Sequence, residues 1–304
     1  MSGHGKVVRI LLADGSPAGI RHAEIGNWTG QAIVCPRSRI GELSEWPESQ
    51  RPGLYVLHGE DPESYRPMAY IGEAENVLVR LKQHVKEKDF WDQVVFFTSK
   101  DDNLTKVHVK YLESRVVELA SVAERIRLEN GNIPVRPMLP RTDLAATEEF
   151  IELARILLGA LGFHFLEALP SRTEGEVSMG LNGPLSHITL YFNIPKHGVK
   201  AEGIWTDEGF IVAEGAIGLK EIKGILSPGW VKRRMDLIQE GTFVESGEHR
   251  RLTKDVLFSS PSAATDIISG LGRNGRISWK DKNGTTLAEL EEALLNTTDN
   301  EGHV

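Results

Sequence analysis

The strongest constraint on the fold lies in residues 53–128, where short apolar runs and longer amphipathic stretches follow one another. The runs GLYVLH (53–58) and MAYIG (68–72) have strand length, and the Gly, Pro and Asp between them are typical of a turn. QVVFFTS (93–99) is apolar enough for a central strand. The resulting order, strand, strand, helix, strand, helix, indicates a fold of mixed α and β structure.

Two amphipathic stretches flank the third apolar run and predict helices over residues 75–87 and 104–128. In the first, apolar residues recur at helical spacing and form one stripe. The second ends before NGNIPVRPMLP (130–140), because Gly131 and three prolines cannot continue a helix. We therefore expect the main domain boundary at this segment.

Turn signals and apolar alternation divide the rest of the chain. Residues 5–35 have the pattern of a small β unit, and alternation in 163–225 favours strands. The expected organisation is an N-terminal β extension with a connector (1–50), a compact unit (51–135), a connecting helix and β region (136–225), an α+β C-terminal domain (226–296) and a tail (297–304).

Composition excludes several classes of protein. No stretch approaches the roughly 18 apolar residues that a membrane span needs, and the N-terminus lacks the pattern of a signal peptide. Cys35 is the only cysteine, which excludes an internal disulfide and a multi-cysteine zinc site. We expect a cytoplasmic protein with no membrane partner, and the sequence leaves its oligomeric state open.

Four polar residues stand out around the two short strands. Tyr55 and Tyr70 occupy strand positions, where a core or edge aromatic is the ordinary interpretation. Arg80 and His84 are four residues apart on one helix face, about 100° round from the apolar stripe. We expect both at the edge of the buried face. A solvated face, with the Arg80 stem lying along the surface, is the alternative.

One acidic residue on the second helix has apolar neighbours. Glu113 has valines at i−4, i+3 and i+4, so its carboxylate is expected to be partly buried. Such a group requires an ion pair, a proton or a metal ion. An ion pair with Arg80 or Arg115 is the structural possibility, and a metal site is the functional one.

A tyrosine pair, an arginine and a lone carboxylate on adjacent elements together indicate an anion site with a metal. Arginine suits phosphate charge, a carboxylate suits a hard cation, and a hydroxyl can position a nucleophile. The residues that carry this chemistry occur in the order Gly53-Leu54-Tyr55, Tyr70-Ile71-Gly72, Arg80-x-x-x-His84 and Glu113. In order and spacing they resemble the GIY-YIG nuclease family, with Leu54 at the isoleucine position and a longer turn between the motifs.

The resemblance implies a small α/β core, in which a three-stranded antiparallel sheet has flanking helices. It also implies that Glu113 holds one Mg²⁺ or Mn²⁺ ion and that Arg80 braces the non-bridging phosphate oxygens. Tyr70 would hydrogen-bond the phosphate or the attacking water. Either Tyr55 or His84 would activate that water, and the sequence leaves the choice open.

Segments outside this core carry further resemblance. The family has a late asparagine, for which Asn132 is the candidate and Asn130 the alternative. LLADG…GNWTGQAIVCPRS resembles the N-terminal extension of bacterial GIY-YIG proteins. Residues 258–292 resemble a small domain of undescribed function that such proteins carry at the C-terminus.

The implied function is a metal-dependent endonuclease that hydrolyses phosphodiester bonds, with DNA favoured over RNA. A net charge of −8 argues against coating of nucleic acid by the whole surface, but local patches matter more. Candidate contacts with nucleic acid are Lys82, Arg273, Arg276, Trp279 and Lys280, with a core position as the alternative for Trp279. The alternative function is a catalytically inactive nucleic-acid-binding or scaffolding protein on a nuclease fold.

Overall fold

Two separate β-sheets organise the chain. The computed structural model describes residues 5–300 apart from 63–66, 168–184, 186 and 187, with backbone alone at 297–300. Its sheets and helices confirm the mixed α and β class predicted from the sequence. One sheet belongs to a compact unit formed by Met1–Ala168, and the other belongs to a second unit formed by Leu169–Val304.

The first unit contains a seven-stranded sheet and three α-helices. Its strands are β1 (Val8–Leu12), β2 (Arg21–Ile25), β3 (Gly30–Pro36), β4 (Gly53–Glu60), β5 (Pro67–Ala74), β6 (Trp91–Ser99) and β7 (Arg127–Leu128). Its helices are α1 (Val77–Glu87), α2 (Lys106–Ala123) and α3 (Arg141–Ala160). The strands lie in the order β1-β2-β3-β6-β4-β5-β7, with β5 and β7 parallel and the other pairs antiparallel.

The three strands predicted for the core, β5-β4-β6, form part of this larger sheet. β3 pairs with β6 along its whole length, from Gly30 opposite Ser99 to Pro36 opposite Gln93. The predicted N-terminal extension therefore continues the sheet that carries the two tyrosines and does not form a separate β unit. Because the paired strands are far apart in the chain, their pairing leaves no local signal in the sequence.

Both faces of the first sheet are covered, which explains the unbroken apolar run in β4. Leu54 and Val56 pack with α2 and α3, whereas Tyr55 and Leu57 pack on the opposite face with α1 and the 3-10 turns of residues 37–50. Successive side chains of a strand point to opposite faces. A strand that is buried on both faces is therefore apolar at nearly every position.

The proline-containing segment 130–140 does not separate the two units. The helix that follows it, α3, packs Phe150, Ile151 and Leu157 into the core that also holds Leu112 of α2. The structure therefore moves the boundary expected at this segment to the far side of α3. Gly and Pro do end regular structure here, but a surface loop within one unit has the same composition as a linker.

The second unit contains the other seven-stranded sheet and four α-helices. Its strands are β8 (Leu190–Ile194), β9 (Val199–Thr206), β10 (Gly209–Val212), β11 (Ile217–Leu219), β12 (Phe243–Ser246), β13 (His249–Leu252) and β14 (Val256–Phe258). Its helices are α4 (Pro228–Gln239), α5 (Pro261–Ser269), α6 (Gly275–Ser278) and α7 (Leu287–Asn300). The strands lie in the order β12-β13-β11-β9-β10-β14, and β8 also pairs with β9.

The border predicted at residue 226 falls inside this second unit. β11 and β10, which precede it, pair with β13 and β14, which follow it. Side chains of α5, among them Ala264 and Ile267, share one core with Phe210 of β10. The region predicted as a connector, 136–225, is thus divided: α3 belongs to the first unit and β8–β11 belong to the second.

Two further features concern the helices. α7 continues to Asn300, so it includes part of the predicted tail, and residues 301–304 lie outside the described chain. None of the helices in the described residues combines the length and the apolar run needed to cross a bilayer.

Candidate active site

The two motif tyrosines lie on one face of neighbouring strands. In the β4–β5 ladder Tyr55 is opposite Gly72, and Leu57 is opposite Tyr70. Because residues two apart on a strand share a face, both tyrosine rings lie on the α1 side of the sheet. Their centroids are 6.3 Å apart. The strand register alone therefore brings the two motifs together.

Gly72 leaves room for the Tyr55 ring. A Cβ atom at position 72 would lie 2.3 Å from the Tyr55 hydroxyl oxygen, a distance that real Cβ contacts do not reach. A glycine within a strand often marks such a close approach. Without a side chain at this position, the phenol can lie across β5 with its hydroxyl group over the backbone.

Helix α1 supplies two partners for the Tyr55 hydroxyl group. The helix begins where the Asn76 side chain accepts the Val79 N–H, and its next turns place Arg80 and His84 on one face. His84 Nε2 lies 2.8 Å from Tyr55 Oη, and Arg80 Nε lies 3.4 Å from the same oxygen. The hydroxyl group therefore links an arginine to an imidazole.

The imidazole of His84 is buried, which excludes the solvated-face alternative for this residue. His84 is 1% exposed, and its ring centroid lies 5.5 Å from that of Tyr55 and 5.2 Å from that of Tyr70. Arg80 is half-buried, and its Nη1 donates to Gln83 Oε1 at 2.9 Å. Arg80 thus lies at the edge of the buried face, and His84 lies inside it.

Burial and charge govern the protonation of the Tyr55–His84 pair. A guanidinium group only donates, so the Tyr55 oxygen accepts from Arg80, and the phenol can donate to His84 Nε2 when that nitrogen carries no proton. Burial lowers the pKa of His84 to about 4, and the charges of Arg80 and Lys88 act in the same direction. Burial and the neighbouring Tyr70 raise the pKa of Tyr55. Both groups are therefore neutral near pH 7.

Side chains from α2 and from the end of β7 occupy the edge of β5. β7 is two residues long and pairs with residues 68–69 of β5. Beyond them the Asn130 amide accepts the N–H of Ile71 at 2.9 Å and donates to its carbonyl oxygen at 2.7 Å. Further along, the backbone N–H of Glu73 favours the ionised form of the Glu113 carboxylate and so lowers its pKa. The strand of the second motif thus ends near a carboxylate.

The Glu113 carboxylate is half-buried, as the valines around it predict. Burial raises the pKa of Glu113 to about 7, and the negative charge of Glu73 acts in the same direction. Lys110 and Arg80 oppose this shift by their charges. The charges of Arg80 and Glu113 therefore act on each other within the first unit.

A structural ion pair with Arg115 does not explain Glu113. Arg115 donates to Glu118 at 2.6 Å and lies 3.3 Å from Glu148. Arg80 is hydrogen-bonded to Tyr55 and influences Glu113 through its charge. A half-buried carboxylate next to a second acidic residue is the environment in which a bound cation stabilises the ionised form.

The donor set around Glu113 fits a hard divalent cation. Mg²⁺ prefers oxygen ligands, takes one or two protein carboxylates and fills its remaining positions with water and phosphate oxygens. Over the part of the chain that the structure describes, no group of three or more His, Cys, Asp or Glu side chains is arranged to hold a metal. A single carboxylate leaves most coordination positions to water and phosphate oxygens, as Mg²⁺ binding does, whereas a closed zinc centre needs four protein ligands.

The asparagine that contacts the second motif is Asn130. Its amide bridges the backbone N–H and C=O of Ile71, whereas Asn132 is exposed in the following loop. This geometry favours the alternative, Asn130, over the predicted Asn132. The two residues are close in sequence, and the pairing of β7 with β5 is what distinguishes them.

Sequence reasoning misses Lys88, which lies over the Tyr70 ring. Lys88 Nζ is 4.3 Å from the ring centroid and donates to Glu129 Oε1 at 2.7 Å. A cation over an aromatic face stabilises the position of both groups. The sequence does carry a signal that could have identified Lys88: it follows Arg80 and His84 at the next i+4 position. Lys82, the predicted contact, is exposed on α1.

The structure corrects one of the C-terminal candidates. Trp279 is fully buried in the second unit, and its indole N–H is hydrogen-bonded inside the core. A buried indole does not stack on a base, so the core alternative is correct for Trp279. Arg273, Arg276 and Lys280 are exposed, and Arg276 Nη2 lies 2.6 Å from Glu291 Oε2.

Comparison with known families assigns a similarity to the second unit. A domain of unknown function (DUF4357) matches residues 190–291, from β8 into α7. No curated protein and no solved structure matches the chain. The matched segment contains Arg273, Arg276 and Lys280 and begins after Tyr55 and Glu113 in the sequence. The chain is thus similar to DUF4357 over the second unit, and the chemistry of the first unit rests on its own geometry.

Proposed function

We propose that the first unit is a metal-dependent endonuclease that hydrolyses phosphodiester bonds in DNA. The observation that carries the proposal is the contact chain from Arg80 through the Tyr55 hydroxyl group to His84, beside the Glu113 carboxylate. A guanidinium group, a hydroxyl group with a proton acceptor and a carboxylate supply what phosphodiester hydrolysis requires. The resemblance of these residues to the GIY-YIG nuclease family supports the assignment.

Tyr55 and His84 manage the proton of the attacking water in this proposal. The water oxygen bonds to phosphorus, and the bond from phosphorus to the 3′ oxygen breaks, leaving a 3′ oxyanion that takes a proton from solvent water. The water proton passes to Tyr55 Oη while the phenol proton passes to His84 Nε2 along the 2.8 Å hydrogen bond. The negative phosphate raises the pKa of His84 above its substrate-free value of about 4. The two candidate bases therefore act in series.

Arg80 and Tyr70 hold the phosphate. The bond from Arg80 Nε to Tyr55 is long at 3.4 Å, and an anionic phosphate oxygen is a stronger partner for the guanidinium group. Tyr55 is 1% exposed in the substrate-free chain. Movement of Arg80 onto the phosphate uncovers the Tyr55 hydroxyl group for water. Tyr70, held beneath Lys88, donates its hydroxyl proton to the phosphate.

Glu113 would hold the divalent cation of the reaction. A Mg²⁺ or Mn²⁺ ion there would stabilise the negative charge that develops on the leaving 3′ oxygen. The chain contributes a carboxylate that is half-buried, so that fewer waters screen its charge. The nearby Arg80 orients the phosphate towards it.

The proposed partner of the protein is nucleic acid, and DNA is the favoured substrate because of the family resemblance. Exposed Lys82 on α1 and the exposed cations Arg273 and Lys280 of the second unit are the proposed phosphate contacts. We also propose a cytoplasmic location, since Cys35 is buried and the chain has no other cysteine to form a disulfide.

Cleavage of supercoiled plasmid and of single-stranded DNA with Mg²⁺ or Mn²⁺ tests the proposal, with EDTA as the metal-free control. Glu113→Gln should abolish cleavage, and Tyr55→Phe should slow it by about 10²- to 10⁴-fold. The matched control is Glu118→Gln, which removes a carboxylate of the same helix that is bound to Arg115. Its cleavage rate should equal that of the wild type.

The outcomes separate the nuclease from the alternative function. DNA binding without cleavage under every metal condition would favour an inactive nucleic-acid-binding or scaffolding protein. Cleavage by Glu113→Gln at the wild-type rate would refute the metal assignment. Cleavage that persists in EDTA would refute a metal-dependent reaction as a whole.

A further inference from the structure

Lys88 follows the last residue of α1 and lies over the ring of Tyr70. Its backbone N–H donates to the His84 carbonyl oxygen at 3.0 Å, and its Nζ lies 4.3 Å from the centroid of the Tyr70 ring. The centroid of the buried His84 ring lies 5.2 Å from the same Tyr70 centroid. One ammonium group and one imidazole thus pack beside a single tyrosine of the candidate site.

Glu129 holds the Lys88 ammonium group in this position. Nζ lies 2.7 Å from Glu129 Oε1, and the two side chains are only 18% and 31% exposed. The backbone of the carboxylate is itself fixed, because the Glu129 N–H donates to the Ala69 carbonyl oxygen at 2.8 Å and the next residue, Asn130, brackets Ile71. An ion pair that is partly withdrawn from water is screened less by salt than an exposed pair. The charge of Lys88 therefore has a defined place beside Tyr70.

The charged and titratable side chains around His84 determine how readily it takes a proton. In the described chain they come from β4, β5 and α1, and they are Tyr55, Tyr70, Arg80, Glu87 and Lys88. The carboxylate among them, Glu87, is mostly exposed and lies 3.9 Å from His84 Nδ1. From the 3-10 turns of residues 37–50, Arg37 reaches α1, where it donates to the Val85 carbonyl oxygen and pairs with Asp89. Arg80 and Lys88 both lower the pKa of His84 by their charges, in the same direction as its burial.

We propose that Lys88 is a positioning residue of the nuclease reaction, an inference that rests on the proposed function. Held by Glu129, its ammonium group fixes the Tyr70 ring beside His84 and keeps the imidazole free of a proton until a DNA phosphate is bound. Attraction between a cation and an aromatic face supports the first role, and repulsion between positive charges supports the second. A bound phosphate offsets this positive charge, after which His84 can take the proton of the Tyr55 hydroxyl group.

Nuclear magnetic resonance of the full chain, labelled at histidine and measured without DNA or metal, tests the charge of Lys88. The His84 signal is identified by its absence in His84→Gln. Lys88→Met should raise the pKa of His84 by about 0.5 or more, because a nearby positive charge is removed. Lys88→Arg should restore the wild-type pKa, since arginine keeps the charge. Glu129→Gln should not raise the pKa of His84, because it breaks the ion pair and leaves the Lys88 charge in place.

Single-turnover cleavage at saturating DNA tests the position of Tyr70. Lys88→Met should slow cleavage by about tenfold, because the tyrosine proposed to hold the phosphate loses the cation over its ring. Lys88→Arg should recover most of the rate, since a guanidinium group also stacks on aromatic rings. Lys86→Met is the matched control, at an exposed lysine of the same helix that does not share a face with Lys88. It should keep the wild-type cleavage rate and the wild-type pKa of His84.

The two measurements separate this inference from the proposed function. An unchanged pKa of His84 in Lys88→Met, or an equal rise in Lys88→Met and Glu129→Gln, refutes the role of the Lys88 charge. A wild-type cleavage rate in Lys88→Met refutes its role in the reaction. If the wild type does not cleave DNA while the pKa of His84 responds as expected, the proposed function fails and the effect of Lys88 on His84 stands. Circular dichroism confirms the fold of each variant, and Lys88→Gln replaces Lys88→Met if the latter does not fold.

Discussion

Gly72 lies beneath the Tyr55 hydroxyl group, and a Cβ atom at position 72 would come within 2.3 Å of that oxygen. The glycine of the second motif and the tyrosine of the first motif are therefore one structural feature, formed across two strands. The same hydroxyl group lies 2.8 Å from His84 Nε2. A change at Gly72 consequently reaches His84 through Tyr55.

Replacement of Gly72 by alanine should damage both the fold and the proposed reaction. The added methyl group forces Tyr55 from its position, which should lower the free energy of unfolding by about 1–3 kcal/mol. The misplaced hydroxyl group should slow DNA cleavage by about a hundredfold. Urea denaturation and initial cleavage rates measure the two effects.

The control for this change is Gly26→Ala, at a glycine of the same unit with open space around its Cβ direction. It should leave the cleavage rate unchanged. A wild-type cleavage rate in Gly72→Ala would show that the position of Tyr55 does not matter for the reaction.

Local patterns were sufficient to predict the residues on β4, β5 and α1. The pairing of consecutive strands sets the register between Tyr55 and Tyr70, and the i, i+4 spacing sets the relation between Arg80 and His84. The structure brings these four side chains together. The burial of Glu113 likewise follows from its valine neighbours along one helix.

The features that the sequence did not predict depend on contacts between distant segments. The choice of Asn130 over Asn132 depends on β7, a strand of two residues that pairs with β5. The burial of Trp279 depends on its packing against Phe192 and Phe210 in the second unit. No local pattern near these residues carries that information, because propensity and spacing describe only neighbours along the chain.

Arg80→Ala should slow cleavage by about 10²- to 10³-fold, which corresponds to about 3 kcal/mol of lost transition-state stabilisation. Arg80→Lys should recover only part of the rate, because lysine keeps the charge and loses the planar pair of donors. Single-turnover cleavage with saturating DNA measures the effect. A full recovery in Arg80→Lys would reduce the role of Arg80 to its charge.

Lys82→Ala is the matched control for Arg80, since Lys82 is an exposed cation of the same helix. Loss of the Lys82 charge should weaken DNA binding and reduce the slope of log affinity against log salt concentration (the salt slope) by about one unit. The single-turnover cleavage rate at saturating DNA should not change. A loss of the single-turnover rate as large as that of Arg80→Ala would argue for a general charge effect.

The exposed cations of the second unit should contribute to DNA affinity unequally. The double variant Arg273→Ala with Lys280→Ala should weaken binding and lower the salt slope by roughly two units, since each exposed cation releases counterions from a phosphate. Arg276→Ala should change the slope less, because Glu291 already neutralises Arg276. Fluorescence anisotropy over a salt series measures both, and equal slopes in all variants would exclude this surface as a DNA contact.

The buried imidazole of His84 should make the first unit sensitive to acid. Its pKa is about 4 in the folded chain, compared with the ordinary value of 6.5. Between these pH values the unfolded chain binds a proton that the folded chain does not, so the free energy of unfolding falls as the pH drops through this window. The contribution is on the order of 3 kcal/mol.

His84→Gln should remove this contribution, so its free energy of unfolding should depend less on pH between 6.5 and 4 than that of the wild type. Urea denaturation at several pH values, followed by tryptophan fluorescence, measures the difference. Carboxylates titrate in the same range, but their contribution is common to both proteins and cancels in the comparison. His164→Gln, at an exposed histidine of the first unit, should keep the wild-type slope. If the free energy of unfolding depended on pH equally in the wild type and in His84→Gln, His84 would accept a proton as readily in the folded chain as in the unfolded chain. That result would contradict a neutral, buried His84 imidazole beside Tyr55.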